Sequence, residues 1–232
     1  MIVRILYAII LAMSTASVLN QMEPSEPRVR GYIVLLSQTE LGTPRCTGTL
    51  FAREYIVTLA QCVKNAEWAT VDDTPVQIIE KTRHPRNDPT QLAYDVAVLR
   101  LRKPTKQRPF PKFGFDFIEP GTMVTSLRNG TRPPSAAKVQ PIANCDNTIK
   151  TASANDNNTM CVADVTICSG DAGSPLIALK DGRGVLVAMS SLVRELCTPS
   201  ISTYARLSAA RDFLEAYLEP RIMPPPISHR IP

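Results

Sequence analysis

The chain has 232 residues, 44% of them hydrophobic and 20% charged, with a formal net charge of +5. That length supports one large all-β domain or two small ones with a sizeable core, and twenty prolines argue against a helical protein and for a loop-rich β fold. The positive balance is too mild to demand an acidic partner or a nucleic acid.

Residues 1–16 read as a signal peptide. Arg4 makes the n-region basic, Ile5 to Met13 is an apolar run too short to span a bilayer, and Ser14-Thr15-Ala16 supplies small residues for cleavage. No later stretch is long and apolar enough for a membrane helix, so a secreted, extracellular protein is expected. Residues 17–31 form a polar N-terminal segment. Strands are expected at Tyr32–Leu36, Cys46–Leu50, Tyr55–Ala60, Val76–Ile79 and Val96–Leu101. The basic run Arg100, Arg102, Lys103, Lys106, Arg108 and Lys112 has no acid in it and reads as a solvated linker. Beyond it, short apolar runs at Met123–Leu127, Ala137–Ile142, Pro175–Leu179 and Val185–Met189 are punctuated by turn signals such as Asn129-Gly130 and Asp181-Gly182. One helix is expected over Ser208–Leu218, with Ser208 as N-cap and the pairs Phe213/Tyr217 and Leu214/Leu218 on one face. Pro220 stops it, and residues 219–232 read as a Pro-rich disordered tail.

Six cysteines, Cys46, Cys62, Cys145, Cys161, Cys168 and Cys197, suggest three disulfides in an exported chain, although spacing alone does not choose the pairing. No Cys-x-x-Cys pair occurs and the only histidines are His84 and His229, so neither a metal site nor a cofactor is expected. Asn129-Gly130-Thr131 and Asn157-Asn158-Thr159 are glycosylation sequons in turn-like segments, with Asn129 and Asn157 as the acceptors.

Three segments taken together carry a family resemblance. Cys46-Thr47-Gly48-Thr49-Leu50 followed by Ile56-Val57-Thr58-Leu59-Ala60-Gln61-Cys62 is similar to C-G-G-S-L … V-L-T-A-A-H-C. Asp95-Val96-Ala97-Val98-Leu99 is similar to D-I-A-L-L. Cys168-Ser169-Gly170-Asp171-Ala172-Gly173-Ser174-Pro175-Leu176 resembles C-x-G-D-S-G-G-P-L. His84-Pro85 and the stretch from Cys197 to Arg206 add further matches. The chain thus resembles the trypsin/chymotrypsin-like serine proteases over residues 32–218. The resemblance implies an all-β fold of two antiparallel six-stranded β-barrels with a C-terminal α-helix. It also implies the pairing Cys46–Cys62, Cys145–Cys161 and Cys168–Cys197.

That family cuts peptides with a serine nucleophile, a histidine base and an aspartate that orients the histidine. Carried over by position, the aspartate is Asp95, but the histidine position holds Gln61 and the serine position Ala172. Alanine has no attacking atom, and an amide does not titrate as a base near neutral pH. Ser169 and Ser174 flank the turn but are expected to point elsewhere, and His84 is expected to pack locally. Asp171 matches the aspartate that pairs with a new amino terminus in active relatives, yet no I-V-G-G segment exists here, so Asp171 must find another partner or stay solvated. Ser174 replaces a glycine of the turn, which questions the turn's backbone angles. Thr166 stands at the base of the specificity pocket and Leu192 and Val193 on its wall, so an Arg/Lys-selective cleft is not expected.

The implied function is protein binding without catalysis, by a chain that is a monomer on its own. Asn65 to Val71 and Tyr94 to Lys106 resemble the glucanase inhibitor proteins of oomycete plant pathogens. This implies an apoplastic effector that binds a host plant endo-β-1,3-glucanase and suppresses glucan-elicitor defence, with Trp68 read as a packing residue. The alternatives are a pseudoprotease cofactor in an immune cascade, weakened by the lack of any cysteine before Cys46, and a basic polyanion or microbial-surface binder, weakened by the modest charge.

Overall fold

The computed structural model describes residues 31–128, 133–145, 158–191 and 200–218. Residues 1–30 and 219–232, with Asn129, Asn157, Leu192, Val193 and Cys197, lie outside the described residues.

The first barrel uses β1 (Ile33–Ser37), β2 (Cys46–Leu50), β3 (Tyr55–Thr58), β4 (Trp68–Val71), β5 (Thr74–Arg83) and β6 (Ala97–Leu101). They close in the order β1-β2-β3-β6-β5-β4, every pairing antiparallel. Val34, Leu36, Leu50, Ile56, Ala69 and Leu99 share one face of these strands and pack in one buried cluster. The β4–β5 hairpin turns through Asp72 and Asp73 at φ 47° and 60°, the left-handed pair that fits the twist of two antiparallel strands. Ala60, expected at a strand end, instead opens a 3-10 helix, Ala60–Asn65.

A linker leads to β7 (Lys112–Phe113) and then to β8 (Met123–Ser126), β9 (Ser135–Gln140), β10 (Thr159–Val165), β11 (Pro175–Lys180), β12 (Arg183–Ser190) and β13 (Ser200–Arg206). The order is β11-β8-β9-β10-β13-β12, and a β11–β12 pairing closes the second six-stranded ring. β7 adds to its margin, parallel to β12. One apolar cluster joins the barrels, because Leu36, Leu50 and Leu99 share it with Leu127, Leu186, Met189 and Leu207, while a second cluster lies inside the second barrel.

After β13, a 3-10 turn (Ser208–Ala210) leads into a short helix, α1 (Arg211–Glu215). The expected helix over Ser208–Leu218 is therefore shortened, and Ser208 is not its N-cap. Ser208 already lies inside the 3-10 turn, and the residue in the cap position of α1 is Ala210, which has no side-chain oxygen to offer. The Phe213/Tyr217 pair does form, with ring centroids 5.6 Å apart, and Tyr217 packs edge-on against Tyr55 at 5.4 Å. Leu214 is fully buried, but Leu218 is 48% exposed and so does not share its face.

Disulfides join Cys46 to Cys62 and Cys145 to Cys161. Cys168 is also disulfide-bonded; its expected partner, Cys197, is outside the described residues. Among the described residues no helix is long and apolar enough to cross a membrane.

Candidate functional site

Gln61 sits in the 3-10 helix that follows β3, and the neighbouring Cys62 ties that helix to the start of β2 through Cys46. Asp95 lies on the approach to β6 and is 4% exposed. Gln61 reaches it twice. Its backbone N–H donates to Oδ1 at 3.0 Å and its amide Nε2 donates to Oδ2 at 2.8 Å. The same Nε2 donates to the Ser191 carbonyl at 3.0 Å. Both neighbours are acceptors, which fixes the amide with its NH2 inward and both hydrogens engaged. Ser191 completes the cage by donating its hydroxyl to Asp95 Oδ2 at 3.3 Å. Burial lifts the Asp95 pKa above the ordinary carboxylate value, and the hydrogen bonds from Gln61, Ser191 and the Ala60 backbone oppose that rise.

The loop from Cys168 to Ser174 brings Ala172 to the same seam. The Thr47 N–H of β2 donates to the Ala172 carbonyl at 2.7 Å, and the Thr47 hydroxyl donates to the Gly170 carbonyl at 2.8 Å. Gly173 donates to the Ser190 carbonyl at 2.9 Å. Loop and amide are thus anchored on successive carbonyls, Ser190 and Ser191, at the end of β12. Gly173 has φ +88°, and a Cβ there would come within 2.1 Å of the Thr47 carbonyl oxygen, so only glycine fits. Ser174 keeps an ordinary φ and is fully buried, donating its N–H to the Asp171 carbonyl at 2.8 Å. The doubt over the turn is thereby answered: Gly173 carries the left-handed angle and Ser174 does not need to. The Gly170 and Ala172 N–H groups have no acceptor among the described residues.

Asp171 is not solvated. It is fully buried, and its Oδ2 accepts the Cys168 N–H at 2.8 Å. Thr166 is partly buried, and its carbonyl accepts Arg128 Nη1 at 3.2 Å. The wall positions Leu192 and Val193 lie outside the described residues. His84 is 5% exposed and stacks on Tyr94 at 4.6 Å, which is the local packing role expected of it. Among the described residues no cluster of His, Cys, Asp and Glu suits a metal ion. Sequence reasoning passed over Ser191; its one signal was its place immediately before Leu192.

The residues expected at the aspartate and histidine positions are therefore bonded to each other, and Ala172 is held beside them by the strand that ends at Ser190. Chemically, this arrangement offers hydrogen-bond donors and a methyl group. A glucanase inhibitor protein 1 of Phytophthora sojae is 25% identical to this chain, across 81% of this chain and 84% of that protein. A glucanase inhibitor protein 3 of Phytophthora sojae strain P6497 is 27% identical, with the same coverages of 81% and 84%. The solved structure of neuropsin, a serine protease of mouse brain, superposes with a TM-score of 0.68 at 17% identity, covering 83% of this chain and 96% of neuropsin, which speaks for the fold alone. The family model described as Trypsin matches residues 19–214, and the chain belongs to that family.

Proposed function

We propose that the protein is exported, does not cut peptide bonds, and acts by binding and inhibiting an endo-β-1,3-glucanase of a host plant. The observation that carries the non-catalytic part is the pairing of an alanine at position 172 with an amide at 61 whose two hydrogens are engaged by Asp95 and Ser191. No side-chain atom is present at 172 to attack a carbonyl, and Gln61 turns donors, not a basic lone pair, toward its neighbours. In a related triad, losing serine or histidine alone lowers turnover about 10⁶-fold. Both Phytophthora relatives are glucanase inhibitor proteins, which supports the choice of a glucanase as partner.

Two assays test the two halves. A serine-directed fluorophosphonate and a peptide ester are expected to leave the purified protein unlabelled and the ester uncleaved; an acyl or phosphonyl adduct on any side chain would sink the non-catalytic reading. In a laminarin hydrolysis assay with a plant endo-β-1,3-glucanase, the protein is expected to slow release of reducing ends and to be retained on the immobilised enzyme. Unchanged hydrolysis would reject glucanase as the partner and leave the first half standing.

A further inference from the structure

A groove of about 770 Å³ opens between the start of the first barrel, the linker and the β11–β12 hairpin. It shares no residue with the Gln61–Asp95–Ala172 site. Tyr32, Phe110 and Phe113 stand in its lining, Tyr32 buried beneath it and the two phenylalanines half-buried at its surface. The linker is held rigid along it. Pro109 and Pro111 fix their own backbone angles, and the Tyr32 hydroxyl is engaged by the Pro109 carbonyl. Lys112 and Phe113 are registered against Val185 and Leu186 of β12, and Gly114 donates to the Leu186 carbonyl at 2.8 Å.

The rim carries Lys112, Lys180 and Arg183 against a single acid, Asp181. Lys180 is already paired with Asp116. Lys112 and Arg183 are exposed and have no acidic partner among the described residues. A rigid aromatic and prolyl lining under two unneutralised cations suits one kind of occupant. Such linings take extended, proline-containing chains, preformed walls lower the ordering cost of binding, and the surplus charge selects acids. We propose that this groove is a protein-docking surface that takes an extended acidic segment, bearing proline or an aromatic residue, from the partner. The inference rests on the inhibitor reading only in taking the glucanase as the protein that supplies the segment.

The test uses the full disulfide-bonded chain and a fluorescein-labelled peptide, Asp-Glu-Pro-Pro-Tyr-Asp-Glu, with a control peptide in which Lys replaces each acid. Fluorescence anisotropy is expected to show salt-sensitive binding of the acidic peptide alone. Lys112→Glu/Arg183→Glu should weaken that binding at least about ten-fold, with unfolding midpoints unchanged because both side chains are exposed. The same double variant should lose inhibition of laminarin hydrolysis by a similar factor. Equal binding of both peptides, or no effect of the double variant on peptide binding, overturns the docking surface. So does binding that appears only after residues 17–30 are removed, since the chain's own Glu23 and Glu26 would then be the occupants, or a dimer in sedimentation that the double variant dissociates. If the wild type inhibits and the double variant inhibits equally well, the groove is not the contact and the inhibitor reading stands. If the wild type inhibits nothing yet binds the acidic peptide through Lys112 and Arg183, the inhibitor reading fails and the groove stands as a surface for acidic segments.

Discussion

His84 and Asp95 show how burial decides protonation in opposite directions. Desolvation disfavours whichever form is charged, so it raises a carboxyl pKa and lowers an imidazole pKa. At Asp95 the donors from Gln61 and Ser191 oppose the rise without cancelling it. At His84 burial acts first and the nearby Arg86 charge adds to it, holding the pKa below 6.5. The ring also accepts the Arg86 N–H on Nδ1 at 3.1 Å, which places the proton of the neutral ring on Nε2. It lies flat on Tyr94 and edge-on to Phe213 of α1 at 5.1 Å. Folded His84 therefore binds its proton less tightly than the unfolded chain does. Its contribution to stability is full above the unfolded value near 6.5 and is lost as pH falls through the lower folded value. Urea unfolding across mildly acidic pH should show that loss in the wild type. His84→Phe keeps the ring packing and should flatten the curve in that window; an unchanged slope would mean that another group titrates there.

Between neighbouring elements, the loop that carries Ala172 is pinned by one glycine. Gly173 and Gly182 both have positive φ, at +88° and +70°, but a Cβ on Gly182 meets nothing within 4 Å whereas one on Gly173 collides with the Thr47 carbonyl. Gly182→Ala should cost about 1 kcal/mol, the strain of the turn alone. Gly173→Ala adds the collision and should cost at least about 2–3 kcal/mol, measured by chemical unfolding. Equal costs would mean that the Thr47 contact yields freely. The same comparison explains what could be read from the sequence. Runs such as Val96–Leu101 and Val185–Met189 announced their strands because their buried positions are hydrophobic. β13 gave no such signal: Ser202, Thr203 and Arg206 are buried there, so polar side chains stand where apolar ones would have marked the face. β10 does bury an apolar run, Met160, Cys161, Val162 and Val165, interrupted by the exposed Asp164. Likewise Gln61, Asp95 and Ala172 were legible through their flanking motifs, while Ser191 depends on a contact between chain segments that only folding creates. The helix end was misjudged because a 3-10 turn and an α-helix share the same apolar spacing over so few residues.

Across the whole molecule, the core that joins the barrels decides how the chain unfolds. Leu36, Leu50 and Leu99 of the first barrel pack in one cluster with Leu186, Met189 and Leu207 of the second. Exposing either barrel alone would strip that shared surface from the other. Thermal unfolding is therefore expected as a single transition with coincident fluorescence and circular dichroism curves; two resolved steps would show that the barrels are independent. Ring closure has another effect. A sheet with free margins can be extended by any stray strand, but both rings here close on themselves, and among the described residues only the two-residue β7 adds to a margin. Apart from Glu80–Arg83 of β5, which pair with β6 alone, the main chain of the described strands offers strangers little to zip onto. Recognition is left to side chains that jut from the walls, and these can be exchanged one at a time without disturbing the scaffold beneath.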